Sequence, residues 1–347
     1  MDRNDIAGHF EKQAQACDRM GSPFTARLCR LLPDLLEADT QTGRRVLEWP
    51  GDPRGDALAL RLCGGLHGLV LSGHDTVLAA AYPPNAVSET ALRQAVANAI
   101  AGHDDRLCTN LDSAPQTNEI GRSAMLLPGF LAIARETGLP LDLHEIGSSA
   151  GLNLLFDRFH YRYGDAAWGE GSASVQLAPE VRGGAPVLEG ALHVAGRRGS
   201  DIAPIDVSLP DERLRLTSYV WADQTARLER LAAAIGLAAH EPYQLEREDA
   251  AIFVERALAG RRSDAVFVLF HSIMWQYLPV PTRQRIAAAL AVAGAAGGAP
   301  IAWLRMEPGS ANEPYALVQL TLWPEGTTRD LARCDFHGRW IEWLADL

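Results

Sequence analysis

Positive charge, cysteine and long apolar runs are all in short supply in this chain, and each shortage excludes something. Lysine and arginine together number 32 against 43 aspartates and glutamates, giving a formal net charge of −11. A broad nucleic-acid surface needs a basic face, so no nucleic-acid partner is expected. The five cysteines (Cys17, Cys29, Cys63, Cys108 and Cys334) are scattered, odd in number and form no C-x-x-C pair. A structural zinc site or disulfide framework is therefore not expected, and no metal is assigned. No stretch reaches the roughly 18 apolar residues that a membrane span requires, and no charged-then-apolar leader is seen. A cytoplasmic protein without a membrane partner is the expectation.

What the chain does have is enough apolar material for a sizeable core: 347 residues, 47% hydrophobic and 22% charged. Residues 1–139 read as a helical N-terminal domain, with Ile6, Phe10 and Ala14 at helical spacing and Phe24, Leu28, Leu31, Leu32, Leu35 and Leu36 on a second apolar face. Ser22-Pro23 fits an N-cap followed by proline in the first turn. Leu58 to Val70 reads as a buried or broken helix, and Ser88 starts another. The polar run Gln116–Arg122 precedes the apolar helix Ala124 to Ala134. Thr117 or Asn118 fits a cap for that helix. Asn118, Glu119 and Arg122 are also second-rank candidates for substrate contact.

The organising stretch is Leu141–Leu155. Leu141, Leu143 and Ile146 mark a strand, Glu145 lies near its end, Gly147 and Gly151 frame a turn, and Leu152, Leu155, Phe156 and Phe159 recur as on a helix face. Three chemistries compete for this turn. A dinucleotide fingerprint, G-x-G-x-x-G, fails because Ser149 and Leu152 stand at glycine positions. Gly147-Ser148-Ser149-Ala150-Gly151 satisfies the nucleophile-elbow pattern G-x-S-x-G, with Ser149 as nucleophile and His337 as a distant partner. The run Glu145-x-Gly147-x-x-x-Gly151 resembles the opening motif of class I S-adenosylmethionine-dependent methyltransferases, with Ser149 where a middle glycine is common.

That resemblance extends over residues 141–347. It implies that Glu145, Gly147, Ser148, Ser149, Gly151 and Asn153 surround the methionine end of the cofactor. Asp206, or Asp201 in its place, would hold the ribose, because a carboxylate accepts hydrogen bonds from two vicinal hydroxyls. Ile205–Ser208 would end the second strand. Tyr243–Glu246 reads as the third strand, with Glu248 and Asp249 toward the adenine, although Asp249 equally suits an N-cap for the helix Ala250 to Ala259. Asp264–Phe270 is a continuous apolar run fitting a parallel strand covered on both faces. It exits into His271–Tyr277, where His271 is the expected general base, with Tyr277 and Glu307 nearby and Trp275 and Arg305 as substrate contacts.

Elsewhere, a long helix is expected from about Asp211 to Ile235, a β-rich insertion at about 160–200, and closing strands over Ala316 to Trp323 and Ala332 to Trp340. The fold expected is α/β: a methyltransferase-like (Rossmann-like), mostly parallel sheet over 140–347 with a C-terminal antiparallel hairpin, behind the helical domain 1–139. The whole chain also resembles an uncharacterised bacterial domain-of-unknown-function family. Thr117-Asn118-Glu119, Glu145–Leu154 and Ser218–Gln224 carry that likeness. The implied activity is S-adenosylmethionine-dependent methylation of a small-molecule or protein acceptor. A serine hydrolase built on Ser149, and a non-catalytic nucleotide-binding protein, stand as alternatives. Oligomeric state is not legible.

Overall fold

The computed structural model describes residues 3–309 and 313–344, and the chain divides into two compact units, 1–117 with 208–229 and 118–207 with 230–347. Helices α1 (Arg3–Arg19), α2 (Pro23–Leu35), α3 (Gln41–Leu47), α4 (Leu58–Leu71), α5 (Thr76–Ala80), α6 (Glu89–Gly102) and α7 (Asp104–Asn110) open the chain. Helix α8 (Ser123–Thr137) leads into β1 (Leu141–Ile146), followed by β2 (His160–Tyr163), β3 (Ala166–Trp168), β4 (Gln176–Leu177), β5 (Glu180–Gly183) and β6 (Val194–Asp201). Then come α9 (Pro210–Ser218), α10 (Thr225–Ala238), β7 (Gln244–Arg247), α11 (Ala250–Ala259), β8 (Val266–Ser272) and α12 (Val280–Ala295). Strands β9 (Ile301–Pro308), β10 (Ala316–Trp323), β11 (Thr327–Cys334) and β12 (Trp340–Trp343) close it.

The helical unit packs around one apolar cluster drawn from α1, α2, α4 and α6, including Phe10, Leu28, Leu32, Leu62, Leu66, Val96 and Ile100. The segment 208–229 returns to it. Tyr219 lies over Gly64 of α4 and donates its hydroxyl to the Ser113 carbonyl at 3.0 Å, and the Ser218 carbonyl meets His67 Nδ1 at 3.2 Å. Asp223 accepts from the Phe24 N–H at 2.8 Å and from the Ser22 hydroxyl, so the N-terminus of α2 is closed by a residue far along the chain.

The second unit is built on a nine-stranded sheet ordered β5-β12-β11-β10-β9-β8-β1-β6-β7. Strands β7, β6, β1, β8 and β9 are mutually parallel; β10 pairs antiparallel with β9 and β11, and β11 pairs antiparallel with β12. In chain order the parallel strands therefore read third, second, first, fourth, fifth. The chain runs outward from β1 on one side, then returns to β8 on the other, which puts a topological switch point between β1 and β8. Both faces of β8 are covered, as its unbroken apolar sequence requires. Phe267 and Leu269 join Phe253 of α11 and Ile286 and Leu290 of α12 in one cluster, while Phe270 meets Phe130 of α8 edge-on at 5.1 Å.

Several expectations are corrected. The second parallel strand is Val194–Asp201, not a segment ending at Ile205–Ser208, which lies beyond the sheet. The segment after Gly151 is a 3-10 helix, Leu152–Arg158. The long helix is two, α9 and α10, interrupted at 219–224 where the chain clasps the helical unit. The strand expected from Ala332 is β11, starting at Thr327, and β12 adds a further pairing. Helix α8 belongs with the sheet, packing on β9 and β10, so the division falls before Asn118 rather than at 139. Within the insertion, β3-β2-β4 form a small sheet of their own, and β5 extends the large one alongside β12.

Candidate functional site

Open α/β sheets place ligands at the carboxyl ends of their strands, beside the switch point. Here that edge is formed by the end of β1 with its turn, the end of β6, and the exit of β8. Gly147, Ser149 and Gly151 all take positive φ (62°, 54° and 69°), a coil that glycine accepts freely and serine does not. Space enforces it as well: a Cβ on Gly147 would sit 2.9 Å from Met274.

The chain itself satisfies most of this turn. Ser148 N–H donates to the Ser200 carbonyl at 3.1 Å, Ser149 N–H to Asp201 Oδ2 at 2.9 Å, and Gly151 N–H to the Ser148 carbonyl at 2.7 Å. Leu152 N–H, at the start of the 3-10 helix, donates to Asn118 Oδ1 at 2.8 Å. Asn153 is buried, donating to the Glu119 carbonyl at 3.4 Å and accepting from the Ser123 hydroxyl at 2.8 Å. Amides that would cradle a phosphate are thus taken, which separates this turn from phosphate-binding loops that keep such groups open.

What the edge offers instead is carboxyl groups and hydrogen-bond acceptors. Glu145 is 3% exposed, and its Oε2 is buried without a hydrogen-bond partner. Burial pushes its carboxyl well above the usual range, Asp201 adds to the push, and Arg122 opposes it. Tyr243, whose hydroxyl donates to the Ala150 carbonyl at 3.0 Å, is pushed up to about 12 by burial together with Asp206 and Glu145. Glu145, Asp201, Asp206 and Tyr243 therefore share one neighbourhood.

The two candidates for the ribose position resolve differently from the favoured assignment. Asp201 ends β6 and carries the strand-end place, but its oxygens accept from the Ser149 and Ala203 amides (2.9 Å each), bracing the turn. Asp206 is exposed and lies in the coil beyond. At the next strand, Asp249 caps α11 through the Ala251 and Ile252 amides, and Glu248 pairs with Arg256 at 2.7 Å. Capping explains Asp249; the adenine role is not supported by its geometry.

The base role expected of His271 does not survive its surroundings. His271 is fully buried, and its Nδ1 lies 2.7 Å from Glu307 Oε1 while Trp303 Nε1 donates to its Nε2 at 3.1 Å. An indole N–H only donates, so Nε2 accepts and the ring proton sits on Nδ1, facing Glu307. No lone pair is left for a substrate. Glu307 Oε1 also accepts from the Met274 and Trp275 amides at 3.1 and 3.2 Å, so the pair shapes the turn after β8. That turn contains Ile273 at φ 51°, a conformation a β-branched side chain resists. Trp275 stacks on His271 with ring centroids 5.0 Å apart, and Tyr277 is 76% exposed at the rim.

The remaining candidates are mostly structural. Glu119 Oε1 closes its own 3-10 turn through Gly121 N–H at 3.1 Å, and Arg122 donates to the Phe336 and Ser272 carbonyls at 3.1 and 3.2 Å. Arg305 lies over the Trp303 ring at 4.1 Å and donates to Gln319 at 3.0 Å. Ser149 Oγ is buried with no hydrogen-bond partner, so no base activates it. Tyr243 was missed in the sequence because it precedes its strand and reads as an apolar residue. Among the described residues, no group of three or more His, Cys, Asp or Glu side chains is arranged to hold a metal ion, and no helix is long and apolar enough to cross a membrane.

No curated protein and no solved structure matches this chain. A family model does, over residues 7–343: the one described as "Uncharacterized protein conserved in bacteria (DUF2332)". The chain belongs to that family.

Proposed function

We propose that the α/β unit binds S-adenosylmethionine at the switch point and serves as a methyltransferase-like domain. The observation that carries this reading is the buried, unpartnered Glu145 Oε2 beside a turn most of whose amides are already engaged. An acceptor-rich, carboxyl-lined edge suits a ligand that brings donors and positive charge, since a cation beside Glu145 would favour its ionised form. S-adenosylmethionine brings an ammonium, a sulfonium and two ribose hydroxyls; a dinucleotide brings phosphates, which this edge would repel. Glu145 would take the ammonium, and Asp206 and Tyr243 would face the nucleoside.

The cofactor supplies an activated methyl group, and the chain's contribution is to position its acceptor. With both nitrogens of His271 engaged, the acceptor must arrive already nucleophilic, as an amine or a thiolate does, rather than as an alcohol awaiting a base. This favours a small-molecule or protein acceptor of that kind.

Calorimetric titration of the full chain with S-adenosylhomocysteine and S-adenosylmethionine tests the reading. Micromolar binding that Glu145→Gln removes and Asp206→Ala weakens is the expected result. A folded sample that binds neither ligand sinks it. The serine-hydrolase alternative rests on the positive φ of Ser149, and labelling by a fluorophosphonate, lost in Ser149→Ala, is the result that would revive it.

A further inference from the structure

A groove in the helical unit shares no residue with the sheet edge. Thirty-one of the 32 basic residues are arginines, and Lys12 is the only lysine. In the helical unit the arginines are tied down almost everywhere. Arg27, Arg30, Arg45, Arg93 and Arg215 sit in ion pairs, Arg44 and Arg61 donate to backbone carbonyls, and Arg106 donates to His74. The side chains of Lys12, Arg19 and Arg54 have no such partner among the described residues, and all three line one groove of about 690 Å³. That volume falls within the range of small-molecule sites.

The rest of the lining points the same way. Lys12 and Arg19 stand seven residues apart on α1, two turns along one face, with Arg54 entering from the loop opposite. Gly8 also lines the groove, and a Cβ there would meet nothing within 4 Å. Asp5 and Asp52 also line the groove; the Asp52 oxygens accept from the Arg54 and Gly55 amides at 3.1 Å each and so hold their own turn. The Ala59 N–H donates to His9 Nε2 at 3.4 Å, which puts the proton of the neutral ring on Nδ1 as a further donor. Burial lowers the His9 pKa, Asp52 opposes it, and Lys12 and Arg54 add to the lowering.

We infer that this groove binds a small polyvalent anion carrying phosphate or carboxylate groups, held by Lys12 and Arg54 with Arg19 as an outer contact. In a chain of net charge −11, three unpartnered cations against two aspartates leave this groove locally positive.

The lone lysine makes the test direct. Lys12 acylation in the full-length protein is followed by mass spectrometry, with inorganic pyrophosphate, citrate, or chloride at matched ionic strength. Bound ligand should slow acylation in proportion to occupancy, about tenfold at ten times Kd. Slowing by pyrophosphate alone identifies phosphate as the ligand chemistry, by citrate alone carboxylate, and by both a site that reads charge. Arg54→Gln should abolish the slowing and Arg19→Gln reduce it, while Asp52→Asn, which removes a negative charge but keeps only one of the two amide acceptors, should strengthen it. All three positions are exposed, so folding is checked only as a control. Acylation no slower than in chloride, or slowing that persists unchanged in Arg54→Gln, overturns the proposal.

Discussion

Glu145, proposed above as the partner of an ammonium, carries a cost to stability. Its carboxyl is held above its unfolded value, so the folded state carries the extra proton between the two pKa values. Stability then falls as pH rises from the ordinary carboxylate range toward the raised folded value, and no penalty exists below the unfolded value. Glu145→Gln should stabilise the free protein at pH 8, with the gain vanishing near pH 4. Thermal unfolding across that window measures it, and a pH-independent gain would contradict the argument. The pair Glu307 and Ile273 makes a complementary case. Glu307→Ala removes the acceptor for His271 and two amides and should cost about 2–4 kcal/mol in urea unfolding. Ile273→Gly should stay within about 1 kcal/mol of the parent, because relief of the left-handed backbone, about 1–2 kcal/mol, offsets lost packing and chain entropy.

At the scale of elements, legibility followed composition. Strand β8 was readable because Val266–Phe270 is apolar throughout and buried on both faces. The turn Gly147–Gly151 was readable because its glycines mark positive φ. Strand β6 was not, since Gly196-Arg197-Arg198-Gly199 looks like a loop. Its arginines are internal only because Arg197 pairs with Asp157 at 2.5 Å and Arg198 with Glu246 at 2.7 Å, and its glycines admit Asp142 and Ser148. None of those partners is adjacent in sequence. Likewise, nothing local told whether His271 had a free nitrogen; Trp303 and Glu307 decide that from the neighbouring strand. Tertiary partners also set the sign of helical glycine substitutions. Gly8→Ala in α1 should stabilise by up to about 1 kcal/mol, since a Cβ there meets nothing. Gly64→Ala in α4 should destabilise by about 1–3 kcal/mol, since that Cβ would strike the Tyr219 ring. Thermal midpoints moving in the same direction for both would refute the distinction.

At the scale of the whole molecule, the chain leaves the helical unit at 117 and returns to it at 208–229, so that unit is discontinuous in sequence. The phrase Ser218–Gln224, one of those carrying the family likeness, is explained by this return. Ser218 meets His67, Tyr219 fills the notch at Gly64, Asp223 caps α2, and Gln224 donates to the Met20 carbonyl at 3.1 Å. A cap supplied from about two hundred residues away is a long-range contact doing the work that a local serine or aspartate does elsewhere. Its loss should therefore be felt at a distance in sequence. Asp223→Ala strips the Phe24 amide and the Ser22 hydroxyl of their acceptor and should cost the helical unit about 1–2 kcal/mol. Hydrogen exchange on the full chain reads this as faster exchange at the start of α2. Exchange near Asp223 should rise in step, because the two segments share one set of contacts. If only the residues around 223 exchange faster while α2 keeps its protection, the returning segment is a passive tether and not part of the unit's core.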